Sequence, residues 1–425
     1  MAVVGSGVAG LGAAWLLSAA NEVVVYEKEA RLGGHSNTVD VPIDGRIVPV
    51  DTGFIVFNEP NYPNLVALLD HIGVATHWSD MSFAVSLDGG RYEYGSGWLP
   101  FVGQPANVLR PRHWRLLGDI LRFNREAPRL LTEAEDLSLT LGGYLAANGY
   151  PLSFAQRYLV PMAGCIWSAP MRDMLAYPAQ TLVRFFSNHG LLRVADQLRW
   201  RTVAGGSRAY VEKLAVPARA EVRLSTPATT IVRDGPRARI RDGAGQWDSF
   251  DAVVVATHGD QALTLLDSPS ERERSILGSF RYARNHAVLH ADAAVMPTRR
   301  AVWSSWNYVA PEGDWESPAS LTYWMNRLQG LDPARDLFVS LNPSRPPRDE
   351  AVFAAFDYEH PLFDRAALEA QRRLPEIQGT GGIEFCGSYC GYGFHEDALA
   401  AGLDAAERLG ARRPWPRPPS RVDGR

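Results

Sequence analysis

The stretch that decides the fold is AVVGSGVAG, Ala2 to Gly10. A short apolar strand runs into Gly5-x-Gly7-x-x-Gly10, and an Ala/Leu-rich helix is predicted from there to about Ala20. A second strand, EVVVY over 22–26, ends at Glu27. Each part has a task in holding a dinucleotide. Gly5 permits the tight turn, Gly7 lets a pyrophosphate approach the backbone, and Gly10 allows helix and strand to pack closely. The first helical residues, Val8 and Ala9, offer free N–H groups to phosphate oxygens. Glu27 is placed to hydrogen-bond a ribose hydroxyl. Strand, glycines, helix, strand and acid within 27 residues leave little room for a mere glycine turn between packed elements.

The next segment points to FAD rather than NAD. RLGGHS, Arg31 to Ser36, follows the acid after a short spacer, and its paired glycines suit backbone passing close to a second phosphate or a ribityl chain. No second βα unit follows. The chain runs instead into TVDVPIDGRIVPVDTGFIVF, which reads as a hairpin turning at Asp44-Gly45.

EKEARLGGHSNTV, VDTGFIVFNEPNYPNLVALLDHIGV and SDMSFAVSL resemble the flavin-containing amine oxidase superfamily. More narrowly, they look like flavoproteins encoded beside, or fused to, cyclopropane-fatty-acyl-phospholipid synthases. The resemblance covers nearly the whole chain. It implies an α/β fold in which a Rossmann-like, glutathione-reductase-like FAD domain (1–65, 200–265 and 376–415) is interleaved with an α+β substrate domain (66–199 and 266–375). It also implies that FAD contacts extend to Lys28, Gly33, Gly34, His35, Ser36, Thr52, Gly53, Phe54 and Ile55. Further along, they extend to Ala228 beside the adenine, Ala256 and Thr257 after the apolar run DAVVVAT, and Gly387 with Ser388.

The stretch GSYCGYGFHEDALAAG, Gly387 to Gly402, reads as a turn into a helix that opens on His395, Glu396 and Asp397. Acids in a first turn suit the helix dipole. In relatives this helix N-terminus points at the flavin, so backbone N–H groups from His395 to Ala398 are expected at the cofactor, with Phe394 over the substrate. Relatives usually carry an acid just after the residue matching Gly387; Ser388 stands there instead.

Bulk composition is that of a soluble globular chain, 46% hydrophobic and 21% charged over 425 residues. A net charge of −4 gives no electrostatic case for nucleic acid. Three cysteines, Cys165, Cys386 and Cys390, build neither a disulfide framework nor a zinc site, so a reducing cytoplasmic setting and no metal are expected. The first residues read as a strand rather than a leader, and no apolar run reaches 18 residues. Residues 109–131 read as a helix carrying six arginines beside Trp114, Leu117, Ile120, Leu121 and Phe123. That is a candidate for peripheral contact with the inner face of a membrane, or an ordinary solvated amphipathic helix. EVRLSTPATTIVRD reads as paired short strands. The closing RRPWPRPPSRVDGR is Pro/Arg-rich, without periodicity and expected to be mobile, and 416–425 is set apart from the domains as a mobile tail.

Two features bear on the reaction. Many amine-oxidising relatives hold a lysine near flavin N5, yet NHAVLHADAAVMPTRRAVWSSWNYV, residues 285–309, has none, and Lys28 and Lys213 are the only lysines in the chain. Phe54, Ile55, Phe57, Trp303, Trp306, Tyr308, Tyr323, Trp324, Tyr392 and Phe394 fall in segments that relatives use around the flavin, a lining that favours a long apolar substrate. Catalytic candidates are His395, Phe394 and His35, with His258, His286 and His290 as further bases. Three readings stay open: an FAD enzyme that oxidises, desaturates or isomerises a fatty acyl chain, an amine or secondary-metabolite oxidase, and a non-catalytic flavoprotein partner of a lipid methyltransferase.

Overall fold

In the computed structural model, residues 1–134, 136–167, 171–193, 197–215, 219–313, 317, 319–332 and 334–418 are described. Apolar strands too short to span a core alone are assembled from distant parts of the chain. A five-stranded parallel sheet takes them in the order Ala220–Arg223, Val23–Tyr26, Ala2–Val4, Val253–Val255 and Ile383–Phe385. Val3 sits between Val25 and Val254 in register. Parallel strands buried on both faces read as unbroken Val runs, and Val253, Val254 and Val255 are fully buried.

Two helices cover this sheet and meet through small residues. Val8–Leu17 leaves the first strand, and His395–Arg408 returns after the last. A Cβ on Gly402 would lie 2.0 Å from the Ala9 carbonyl oxygen, and one on Gly12 would lie 2.7 Å from Leu399. Glycine at these positions lets both helix starts converge on one end of the sheet.

The second sheet has seven strands, ordered Val352–Leu362, Arg281–His290, Phe338–Leu341, Leu321–Trp324, Trp306–Ala310, Phe83–Leu87 and Tyr92–Gly95. All pairs are antiparallel except Trp306–Ala310 with Phe83–Leu87. Strands from both sides of residue 200 thus share one sheet. Helix Val160–Trp167 packs against it, and Pro111–Glu126, Leu141–Ala147 and Ala179–Asn188 belong to the helical layer around that helix. The expected hairpin forms over Thr38–Ile43 and Arg46–Asp51, with Asp44 and Gly45 at φ 47° and 77°. Both signs are what a two-residue Asp-Gly turn demands.

Two expectations need correction. Ala220–Arg223 and Ala228–Asp234 do not pair with each other: the first adds to the parallel sheet, while the second starts a meander with Arg237–Asp242 and Trp247–Phe250. Next, RRPWPRPPSRVDGR is not loose at its start. The Arg413 side chain is 3% exposed and paired with Asp404 and Glu407, and Trp415 stacks on Trp15 at 6.0 Å. Residues 419–425 lie outside the described residues.

Candidate functional site

Gly5, at φ 98°, turns the chain out of the first strand, and its N–H donates to the Tyr26 carbonyl at 2.9 Å. A Cβ on Gly10 would stand 1.9 Å from the Gly5 oxygen, whereas one on Gly7 would meet nothing within 4 Å. One glycine is therefore demanded by packing, and the other faces open space. Gly7 caps the helix without a side-chain bond, leaving its first N–H groups directed at that space. Glu27 is buried at its rim; Oε2 accepts from the Ser6 N–H at 2.8 Å and Oε1 from the Glu29 N–H at 2.9 Å.

The second glycine loop docks on the first. Gly33 donates to the Ser6 carbonyl at 3.0 Å, and a Cβ on Gly34 would lie 3.2 Å from Gly7 Cα. His35 then points inward, its ring 4.9 Å from Tyr358 and 5.4 Å from His360. Its Nε2 is buried without a hydrogen-bond partner among the described residues. Burial first, then the neighbouring imidazoles, holds its pKa well below the usual histidine range. Phe54 donates its N–H to the His35 carbonyl at 2.8 Å, and Thr52 bonds the Tyr358 hydroxyl at 2.7 Å.

At the C-terminal helix start, the His395 ring lies flat on Phe54 at 3.7 Å. Its Nε2 bonds the hydroxyl of fully buried Tyr210 at 2.7 Å, and that hydroxyl also meets Ser36. Burial lowers the His395 pKa to about 3. The two acids beside it serve helix ends. Glu396 accepts from the N–H groups of Asn64 and Leu65 and from Asn64 Nδ2, capping helix Pro63–His71. Asp397 reaches back to the Phe394 N–H at 2.9 Å.

A single cavity of about 2580 Å³ joins these parts. Gly5, Gly7, Val8, Ala9, Glu27, Lys28, Gly33, Gly34, His35 and Thr52 to Ile55 line it, as do Ala228, Ala256, Thr257, Gly387, Ser388, Phe394, His395 and Ala398. Gly10, Ser36, Glu396 and Asp397 stand behind that wall. Pockets for one drug-sized ligand run to about 1,000 Å³, so this one has room for a dinucleotide and a substrate together. The residues fit FAD: a glycine cradle open at Gly7, an uncapped helix start, the buried acid Glu27 that would meet a ribose hydroxyl, and an orphan imidazole nitrogen on His35.

Past the cradle the cavity becomes a chamber. Of the expected aromatics, Phe54, Trp306, Tyr323 and Phe394 reach it, along with Ile55. Phe57 and Tyr308 are instead packed into cores, and Trp303 and Trp324 form a separate cluster with Met296 and Phe338. Tyr392 stands behind Phe185, 6.3 Å from its ring, and is not part of the wall. Among the bases, His258 lines the cavity, near Glu359 and stacked on Tyr282 at 4.2 Å. His286 faces outward to Asp357, and His290 is buried between strands against Ser340, so neither serves the site.

Several chamber residues escaped sequence reading. Tyr158, Met162, Cys165 and Ile166 come from a helix with a π turn over Ala155–Leu159. Phe185 and His189 stack at 3.8 Å four residues apart, a helical spacing that was legible but indistinguishable from core. Phe394 stacks on Phe185 at 4.9 Å, and His189 lies 5.7 Å from Phe394.

A family model described as flavin containing amine oxidoreductase matches residues 8–325. No curated protein matches the chain. Similar solved structures include a CLA-producing fatty acid isomerase from P. acnes, 17% identical over 96% of this chain and 98% of that one, with a TM-score of 0.65. A putrescine oxidase redesigned in cofactor binding is 16% identical over the same shares, with a TM-score of 0.68. A putative protoporphyrinogen oxidase from Exiguobacterium sp. is 17% identical, again over 96% and 98%, with a TM-score of 0.68. At these identities the likeness is one of fold.

Proposed function

This chain belongs to the flavin containing amine oxidoreductase family and is an FAD-dependent oxidoreductase, and on that premise we propose that it oxidises, desaturates or isomerises a long apolar substrate, a fatty acyl chain. The observation that carries this reading is the chamber wall. Trp306, Tyr323, Leu341, Phe356, Tyr158 and Met162 line it. Each CH₂ buried against such a wall contributes about 0.8 kcal/mol.

An ammonium group entering there would shed water and meet aromatic faces rather than a waiting carboxylate. Lys28 belongs to the dinucleotide end, and Lys213 is bound to the Ile72 and Gly73 carbonyls on the surface. Of the carboxylates that line the cavity, Asp80 is engaged by Ser82, Ser305 and Arg327, Glu359 by His258 and Arg284, and Asp357 by His286, while Glu27 and Glu29 belong to the dinucleotide end. The fatty acid isomerase among the similar structures supports the acyl reading, and the putrescine oxidase is the reason amines belong in the test. The narrower resemblance to flavoproteins of cyclopropane synthase loci supports a methylated or cyclopropanated chain, with a lipid methyltransferase as partner.

FAD, when bound, supplies the hydride acceptor. The protein holds the substrate, excludes water and moves a proton. With a pKa near 3, His395 is a weak base and suits a neutral hydrogen-bonding role, fixed by Tyr210 and Phe54. His189 is proposed as the group that takes the proton; its Nδ1 is 3.0 Å from the Phe185 carbonyl, which only accepts, so Nδ1 carries the hydrogen and the lone pair sits on Nε2. Incubating the FAD-loaded enzyme with free fatty acids, phospholipids and amines, and following double-bond formation or migration by mass spectrometry, tests the reading. New or shifted acyl double bonds are expected, with His189→Gln slower by about 10²–10⁴-fold at unchanged FAD affinity. Turnover of amines alone would refute it.

A further inference from the structure

The mouth of the cavity is bordered by apolar side chains that the protein does not cover. Trp98 and Leu99 are 66% and 77% exposed, Leu109 is 86% exposed, and Trp114 and Leu121 are 37% and 46% exposed. They form one patch. Helix Trp98–Phe101 meets helix Pro111–Glu126 through the Trp98 and Trp114 rings, 6.3 Å apart, and Trp114 Nε1 donates to the Val108 carbonyl beside Leu109. Along the longer helix Trp114, Leu117 and Leu121 follow at i, i+3 and i+7, so the stripe descends from the exposed rim to the lining. Trp98, Leu117 and Leu121 belong to rim and cavity wall at once.

Charge flanks the same patch. From Arg110 to Glu126 there are five arginines (110, 112, 115, 122 and 125) against Asp119 and Glu126, a local net charge of +3 in a chain of −4. Arg112 and Arg115 are exposed and adjoin Trp114. Exposed Trp and Leu between arginines form the composition that settles at a phospholipid headgroup boundary. Among the described residues no helix is long and apolar enough to cross a membrane, so contact would be from one side.

We propose that this rim docks on an anionic phospholipid bilayer and seats the cavity mouth against it, so that the substrate enters from the lipid phase without crossing water. This rests on the acyl-chain reading for what enters, and on the rim alone for what is bound. An aqueous substrate needs no greasy threshold, whereas a chain drawn from a bilayer loses its apolar surroundings unless the wall continues them.

The test uses the FAD-loaded protein and Leu99→Glu/Leu109→Glu, whose side chains line no part of the cavity. Co-sedimentation is measured with vesicles containing phosphatidylglycerol and with pure phosphatidylcholine vesicles, and thermal melting shows that the variant is folded. The wild type is expected to bind the anionic vesicles, and the double variant to bind at least about tenfold less. Arg112→Gln/Arg115→Gln should lose about fivefold per arginine on anionic vesicles only. Equal binding by wild type and Leu99→Glu/Leu109→Glu, or none by either, overturns the proposal. So does a wild-type oligomer that Leu99→Glu/Leu109→Glu splits while vesicle binding stays absent, because the patch is then a protein interface. Acyl chains dispersed in detergent separate this from the function: if the double variant converts them at the wild-type rate yet fails on vesicles, docking stands. If neither form converts them but the wild type binds vesicles, the substrate reading alone falls.

Discussion

Replacing Gly7 by alanine separates the cradle's role in ligand binding from its role in the fold. Gly7 sits at φ −62°, an ordinary value for any residue, and a Cβ there meets nothing within 4 Å. Alanine is a poorer helix cap than glycine by several tenths of a kcal/mol, but it lowers unfolded-chain entropy by about 0.4–1 kcal/mol. The two nearly cancel, so the apoprotein should melt within a few degrees of wild type. The new methyl, however, stands where a phosphate would approach the helix start. Crowding of that kind costs about 1–3 kcal/mol, roughly 5- to 150-fold in Kd. Titrating apoprotein with FAD and following flavin fluorescence gives that ratio. Gly402→Ala is the contrasting control, because its methyl would lie 2.0 Å from a backbone oxygen and should destabilise the fold itself. Unchanged FAD affinity in Gly7→Ala, with wild-type melting, would refute the cradle.

Three further outcomes follow from particular residues. His290 is fully buried and burial lowers its pKa to about 4, so the neutral form is the folded one. The unfolded chain takes up that proton below about pH 6.5, so stability falls by up to about 3 kcal/mol towards pH 4, and urea midpoints of His290→Asn should show a shallower fall. Tyr210→Phe removes the hydroxyl joining Ser36 to His395 and should cost about 1–3 kcal/mol in urea unfolding; an unchanged midpoint would show that the link is idle. Trp306, edge-on to Tyr323 at 4.9 Å, lines only the chamber. Trp306→Ala should slow flavin reduction by an acyl substrate about ten- to hundredfold, with FAD affinity unchanged.

The cofactor half was largely legible because each of its residues answers a local demand. Gly5, Gly7, Gly10 and Glu27 are spaced by one turn and one helix, so the spacing alone carries the geometry. The Asp44-Gly45 hairpin was legible for the same reason. The chamber was not. Phe185, His189, Tyr158 and Met162 are apolar or aromatic residues at helical spacing, as core residues are, and only tertiary placement turns them towards a cavity. Likewise Phe57 and Tyr308 share the composition of the lining but face cores. Glu396 looked like part of the flavin clamp, yet its partners, Asn64 and Leu65, lie over 300 residues away in the chain, beyond any pattern of spacing. Trp415 hid inside a proline-rich stretch because its partner Trp15 is equally remote, while Arg413 joins the nearby Asp404 and Glu407 to the remote Asn64.

The most direct measurement is anaerobic absorbance of the FAD-loaded enzyme mixed with fatty acids, phospholipids or amines. Bleaching of the flavin band by acyl lipids is expected, lasting for oxidation or desaturation and transient for isomerisation, with amines inert. Bleaching by amines and not by any acyl chain would contradict the apolar-substrate assignment.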